Sequence, residues 1–247
     1  MTRGQAFDFK SALAQRVAAG GVTPSLSLAE DLSEAGYQDL ARGVAGSDRD
    51  ALAHAGVPER ILREMFAEGR QRAFAVWTPE HSVETGRRVG RGESLYLWGE
   101  RGAGKSHVAA CGAFAVRRKR GLSFDDVLWA EWPLTLDRLR DDVRSESTDH
   151  LLTRLREVSL LVLDDVGATF RPTPFAVDAL NTVVRDRYNR CAQTVTTANV
   201  PPDRLSADLQ AAGFAASAVE PLLSRLAGAG GPGSIVELSG SARRAAR

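Results

Sequence analysis

Cysteine is scarce in this 247-residue chain: Cys111 and Cys191 stand alone, without the spacing of a metal-binding pair. That excludes a disulfide framework and a zinc ribbon, and both thiols are expected to be reduced and packed. Aromatic residues make up 6% of the chain, and no cluster of them forms the stacking platform of an autonomous single-strand binder. Nowhere do 18 apolar residues run together, which excludes a membrane-spanning helix. The opening stretch, Met1 to Asp8, lacks the apolar run of a signal peptide, so the expected compartment is the cytoplasm. An excess of one charge is also missing. Thirty-two Lys and Arg face 31 Asp and Glu, so any nucleic-acid contact must come from local patches.

What is present reads as one α/β domain with a small accessory region. Up to about residue 56 the pattern is short helices broken by Gly20, Gly21, Gly36, Gly43 and Gly46, with capping-box spacing at Ser27–Glu30. Pro58 is placed to open a helix, and Ile61, Leu62, Met65, Phe66, Phe74 and Trp77 follow at helical spacing. That apolar face serves either the core or a partner. Thr78 to Glu93 reads as a polar separator.

From Ser94 short apolar runs alternate with longer amphipathic segments, the pattern of βα units. The strands are expected at Leu95–Trp98, Val127–Ala130, Leu160–Leu163, Thr194–Thr197 and Ile235–Leu238. Helices are expected over 105–120, 134–143, 149–158, 174–190 and 218–226, with start signals at Thr173 and in Ser217–Glu220. The fold class is therefore a three-layer α/β sandwich around a parallel five-stranded sheet.

Gly99-Glu100-Arg101-Gly102-Ala103-Gly104-Lys105-Ser106 matches G-x-x-x-x-G-K-[ST]. Average composition makes a chance match about one in a hundred or less for a chain this long. The glycines let backbone N–H groups turn inward around phosphate oxygens. Lys105 would reach the β- and γ-phosphates of ATP, the Ser106 hydroxyl would ligate Mg²⁺, and the helix starting here points its positive end at the anion. His107 ends the stretch, with packing into the helix as its alternative role.

Leu160–Leu163 runs into Asp164 and Asp165, and the carboxyl end of a central parallel strand is where such sheets bind ligands. Asp164 would hold Mg²⁺ and Asp165 would polarise the attacking water. A strand ending in a solvated turn, helped by Gly167, is the alternative. Many ATPases of this type carry Glu where this chain has Asp165. The carboxylate is drawn back by one bond, and a misplacement of about 1 Å can cost on the order of 10²-fold in rate. Slow hydrolysis is expected.

The segments from Tyr96 through Ala109, Leu160-Leu-Val-Leu-Asp-Asp-Val-Gly167, Asp186-Arg-Tyr188, Thr196-Thr-Ala-Asn199 and Leu223-Ser-Arg-Leu226 together resemble one AAA+ branch. It comprises the replicative helicase loaders of DnaC and DnaI type and the IstB-type transposition ATPases. The resemblance covers residues 95 to about 243, and Ala55–Pro58 looks like the start of the ATPase region. It implies residues 1–55 as a helical partner-binding region and 56–247 as the ATPase domain. It also implies Asn199 as sensor 1, Arg225 as an arginine finger acting on a neighbouring subunit, and Arg243 as sensor 2. Ala242 replaces the family's aromatic before that last arginine. Like this branch, the chain leaves too little after Arg225 for a helical lid.

The implied partners are a hexameric replicative helicase, held by the N-terminal region, single-stranded DNA, and a neighbouring copy of the chain. Arg117–Arg120 would meet DNA phosphates or, more plainly, offset the negative end of a helix dipole. Phe170 and Arg171 are further candidates for a DNA or partner contact. A transposition helper shares the whole core, a binding-only scaffold would use ATP/ADP for shape alone, and a small-molecule kinase lacks an acceptor pocket.

Overall fold

The computed structural model describes residues 46–66, 80–145, 150–167, 172–228 and 234–239. Ser27–Glu30, Phe74, Trp77, Phe170, Arg171 and Arg243 lie outside these, as does most of the N-terminal region. Five strands, β1 (Leu95–Trp98), β2 (Val127–Glu131), β3 (Leu160–Asp164), β4 (Gln193–Ala198) and β5 (Ile235–Glu237), form one sheet in the order β2-β3-β4-β1-β5. Every pairing is parallel, so the connections must cross over a face of the sheet, and helices supply them. The three-layer sandwich expected from the sequence is the observed fold.

Strand periodicity builds the two outer layers. Leu95, Leu97, Val127, Trp129, Leu160, Val162 and Val195 point to one face. There they pack on α1 (Gly46–His54), α2 (Glu59–Phe66), α3 (Glu80–Gly90) and α4 (Lys105–Arg120). The alternate residues Tyr96, Leu128, Ala130, Leu161, Leu163 and Ala198 point to the other face. They meet α5 (Trp132–Arg144), α6 (His150–Glu157), α7 (Pro174–Asn189), α8 (Pro202–Ala211) and α9 (Ala216–Gly228). Leu160 to Leu163 are each fully buried. Each such side chain contributes roughly 1.5–3 kcal/mol by leaving water, which makes β3 an anchor for the acids at its end.

Cys191 is exposed where a packed thiol was expected, while Cys111 is buried, and three expectations about helices also need correction. The stretch from Thr78 to Glu93 is not a plain separator, because α3 occupies Glu80–Gly90. Its apolar stripe is thin, with Thr85, Gly86 and Val89 buried. It works because α4 offers Gly112, where a Cβ would sit 2.4 Å from Val89 Cγ1. The second concerns Ser217, which does not cap α9. The helix already includes Ala216, and the Ala215 carbonyl accepts from Ala218 and Val219 N–H. The third is α8, which follows Pro201-Pro202 where no helix was expected; Pro202 sits at its start, where no N–H is needed. Thr173 does cap α7, its hydroxyl accepting from Ala176 N–H at 3.2 Å.

The edge strand β2 is not left bare. Trp129 N–H donates to the Ala55 carbonyl at 2.6 Å, so the α1–α2 turn covers it, with Leu52 and Ala55 in the core. Among the described residues no helix follows α9, and none is long and apolar enough to cross a membrane.

Candidate functional site

The carboxyl ends of β2, β3 and β4 and the loop after β1 open into one cleft of ≈ 620 Å³. In that loop Gly99, Gly102 and Gly104 take φ of +151°, +87° and +87°, a region other residues rarely enter. Gly99 is required twice over, because a Cβ there would lie 2.2 Å from the Leu238 carbonyl oxygen. Arg101, Gly102, Gly104, Lys105, Ser106 and His107 line the cleft. Ala103 packs into the core behind it, while Glu100 is exposed at the tip. Lys105 Nζ donates to the carbonyls of Gly99 and Glu100, both at 2.9 Å. Burial pulls its ammonium below the usual lysine value, and Asp165 and Asp164 oppose that shift.

The two acids are tied to the loop by a chain of hydrogen bonds. Asp164 Oδ1 accepts from Ser106 Oγ at 2.8 Å and from Thr197 Oγ1 at 2.6 Å. Thr197 Oγ1 in turn accepts from Asp165 N–H at 3.0 Å. Asn199 Nδ2 donates to Asp165 Oδ1 at 3.1 Å. The sequence motifs at 99–106, 164–165 and 199 thus meet in one constellation. Arg225 does not join it; half-buried on α9, it lies beside Tyr188 and Thr194 at a small surface depression.

Asp165 has φ of +63°. Asp tolerates this left-handed region far better than longer residues, because its short carboxylate can bond locally.

Burial raises the Asp164 carboxyl above the usual range; hydrogen bonds from Thr197 and Ser106 lower it, Asp165 raises it and Arg60 lowers it. Its folded pKa exceeds its unfolded one. The stability it contributes is full below the unfolded pKa and is gone once pH has risen through the folded one. Asp164→Asn is expected to raise the denaturant midpoint at pH 8 in metal-free buffer, with the gap closing on acidification. A gap that is constant or widens as pH falls would contradict this.

Ser106 and Asp164 offer a hydroxyl and a carboxylate, the hard oxygen donors that suit Mg²⁺ when phosphates and water complete its shell. No group of three or more His, Cys, Asp or Glu among the described residues is arranged to hold a metal unaided.

Five cleft residues, Pro58, Arg60, Ile61, Glu131 and Thr197, were not foreseen. Thr197 sits on β4 two positions before Asn199, which lies just past the strand's end, and both line the cleft. That spacing was available as a signal. Arg60 and Ile61 on α2 and Glu131 at the end of β2 come from distant segments and carried none. The basic run divides: Lys119 is exposed, whereas Arg120 packs against the turn at Gly92.

A family model described as IstB-like ATP binding protein matches residues 82–236, more than half of the chain. The replicative helicase loader DnaI of Bacillus subtilis (strain 168) is 26% identical over 117 residues. That alignment spans 47% of this chain and 36% of the relative's length. The solved structure of the DnaC helicase loader superposes with a TM-score of 0.53 at 21% identity, covering 66% of this chain and 94% of that one. For DnaI the values are 0.54, 21%, 77% and 99%. At such identities the structural likeness establishes the fold.

Proposed function

The chain belongs to the IstB-like ATP-binding protein family, and from that premise we propose that it is an ATP-dependent loader of a replicative DNA helicase. The single observation that carries the ATPase part is the bonded series Ser106–Asp164–Thr197–Asp165, with Asn199 closing on Asp165. It joins a phosphate loop to two acids and an amide in the order that phosphoryl transfer to water needs. The loader part is supported by the likeness to DnaI and by the helicase-loader resemblance of the motifs.

In this reading Lys105 and the loop N–H groups hold the phosphates of ATP/ADP, and Ser106 with Asp164 holds Mg²⁺. Bound Mg²⁺ neutralises charge on the phosphates. Asp165 takes the proton side of water activation while Asn199 keeps its carboxylate oriented. Arg225, outside its own chain's cleft, acts on a neighbouring copy and makes turnover depend on assembly. Such a finger is worth about 10³–10⁵ in rate. Arg243 is the sensor 2 assignment. Residues 1–55 grip the helicase, with α1 as the element that seats them on the ATPase domain, 56–247. Single-stranded DNA meets the exposed end of the basic run at Lys119.

Asp165→Asn is expected to keep ATP affinity within about threefold while turnover drops about 10²-fold or more, as for loss of a positioned general base. Equal turnover by the variant would remove Asp165 from the chemistry.

The role itself is tested by capture from the host with ATP and Mg²⁺, comparing the full chain with one lacking residues 1–45. Truncation must stop short of α1 because Leu52 and Ala55 are core residues. Recovery of a replicative helicase by the full chain alone supports the loader. The family match also favours a second reading, a transposition helper; recovery of a transposase, or of duplex DNA alone, would establish that instead.

A further inference from the structure

Three cationic side chains line the nucleotide cleft among the described residues: Arg101, Lys105 and Arg60. The first two belong to the phosphate loop. Arg60 comes from α2, in the segment leading in from the N-terminal region. Its neighbours on α1 and α2 are engaged: Arg49 and Arg63 both bond Glu59, at 2.5 and 3.1 Å. Arg60, by contrast, makes no hydrogen bond or ion pair to any described residue.

Its backbone is nonetheless fixed, because Ile61 and Leu62 beside it are buried at 3% and 1% exposure. The α1–α2 turn is also bonded to β2 through Ala55 and Trp129. An arginine held on a rigid helix, facing a cleft and bonded to no described residue, matches a phosphate better than any other cleft ligand. Adenine offers no charge to match it, and Mg²⁺ would be repelled. Arg60 lines the same cleft as Asp164 and Asp165.

We propose that Arg60 binds the terminal phosphate of ATP from outside the phosphate loop, so that the seating of α2 and the segment before it responds to which nucleotide is bound. This rests on the nucleotide-site reading above and deepens it. Nucleotide state and the proposed helicase grip are then joined through one short helix.

The test is the affinity of the full chain for ATP and for ADP, each with Mg²⁺, by fluorescence anisotropy of labelled nucleotide, for wild type, Arg60→Ala and Arg60→Lys. Losing a charge-assisted bidentate contact predicts ATP affinity falling about tenfold or more in Arg60→Ala. ADP affinity changes less than about twofold, and Arg60→Lys recovers part of the loss. Hydrogen exchange over residues 46–66 should slow more with ATP than with ADP in wild type, and equally with both in Arg60→Ala. ATP and ADP affinities that fall together, or neither falling, overturn the inference while leaving the nucleotide site standing. A wild-type chain that binds neither nucleotide overturns the nucleotide-site reading and this inference with it.

Discussion

A Lys105→Met variant is expected to lose at least about 100-fold in ATP affinity while unfolding, without nucleotide, at nearly the wild-type temperature. The two parts have different causes. In the folded chain Lys105 is buried, 8% exposed, and among the described residues its ammonium bonds the carbonyls of Gly99 and Glu100. Burying that charge disfavours it, as the lowered pKa records, and an apolar side chain of similar length removes the penalty along with the two bonds. Replacing a buried charge by a packed apolar group is often neutral or stabilising. Binding is another matter. Two charge-assisted bonds to phosphate oxygens at about 1.5–3 kcal/mol each exceed the ~2.7 kcal/mol that a 100-fold change requires. A thermal-shift series separates the two: wild type should gain melting temperature with Mg²⁺ and ATP, and the variant should gain none. A variant that melts far lower without nucleotide would make Lys105 a structural residue first.

Arg187→Leu is expected to reverse that pattern, leaving the cleft residues untouched and costing about 3 kcal/mol of stability. Arg187 is 1% exposed and has no carboxylate partner among the described residues. Its guanidinium instead donates to the carbonyls of Leu155, Val158 and Gln193 at 3.2, 2.8 and 2.6 Å, and to Thr194 Oγ1 at 2.9 Å. One side chain thus satisfies the end of α6, the approach to β3 and the start of β4. Burial, with help from Arg190, pulls its pKa down to about 9, so the charge itself is disfavoured there and relief of that penalty offsets part of the loss. What remains is three buried carbonyls that lose this donor, each loss worth roughly 1–3 kcal/mol. For a chain of this size the drop amounts to roughly 6–12 °C in melting temperature. Arg187→Lys should recover less than half of it, since an ammonium cannot span three acceptors in a plane. A melting temperature unchanged in Arg187→Leu would contradict this.

The sheet was legible because its strands are apolar runs of the right length, bounded by turn residues. Leu160–Leu163 followed by two acids could hardly read otherwise. The phosphate loop was legible for a different reason: only glycines at 99, 102 and 104 satisfy the backbone angles it needs. Where the reading failed, tertiary contacts decided. The polarity of α3 disguises it until Val89 finds the gap at Gly112. Ser217 has capping chemistry, but the chain enters α9 earlier, at Ala215. Arg187 was noticed inside Asp186-Arg-Tyr188, yet nothing in that triplet says that it is buried among carbonyls from three segments. Thr197 looks like any strand threonine, although its hydroxyl links both acids. Arg60 stands nearly 40 positions before the loop, and only the fold brings it into the cleft.

The central claim is that one Mg²⁺-dependent ATP site is built on Gly99–Ser106 and Asp164. Calorimetric titration of the full wild-type chain with ATP tests it most directly, with Mg²⁺ present and then chelated. The account predicts one nucleotide per chain and a clear weakening when Mg²⁺ is removed. Absence of binding at millimolar ATP, or binding at full strength without Mg²⁺, would contradict it.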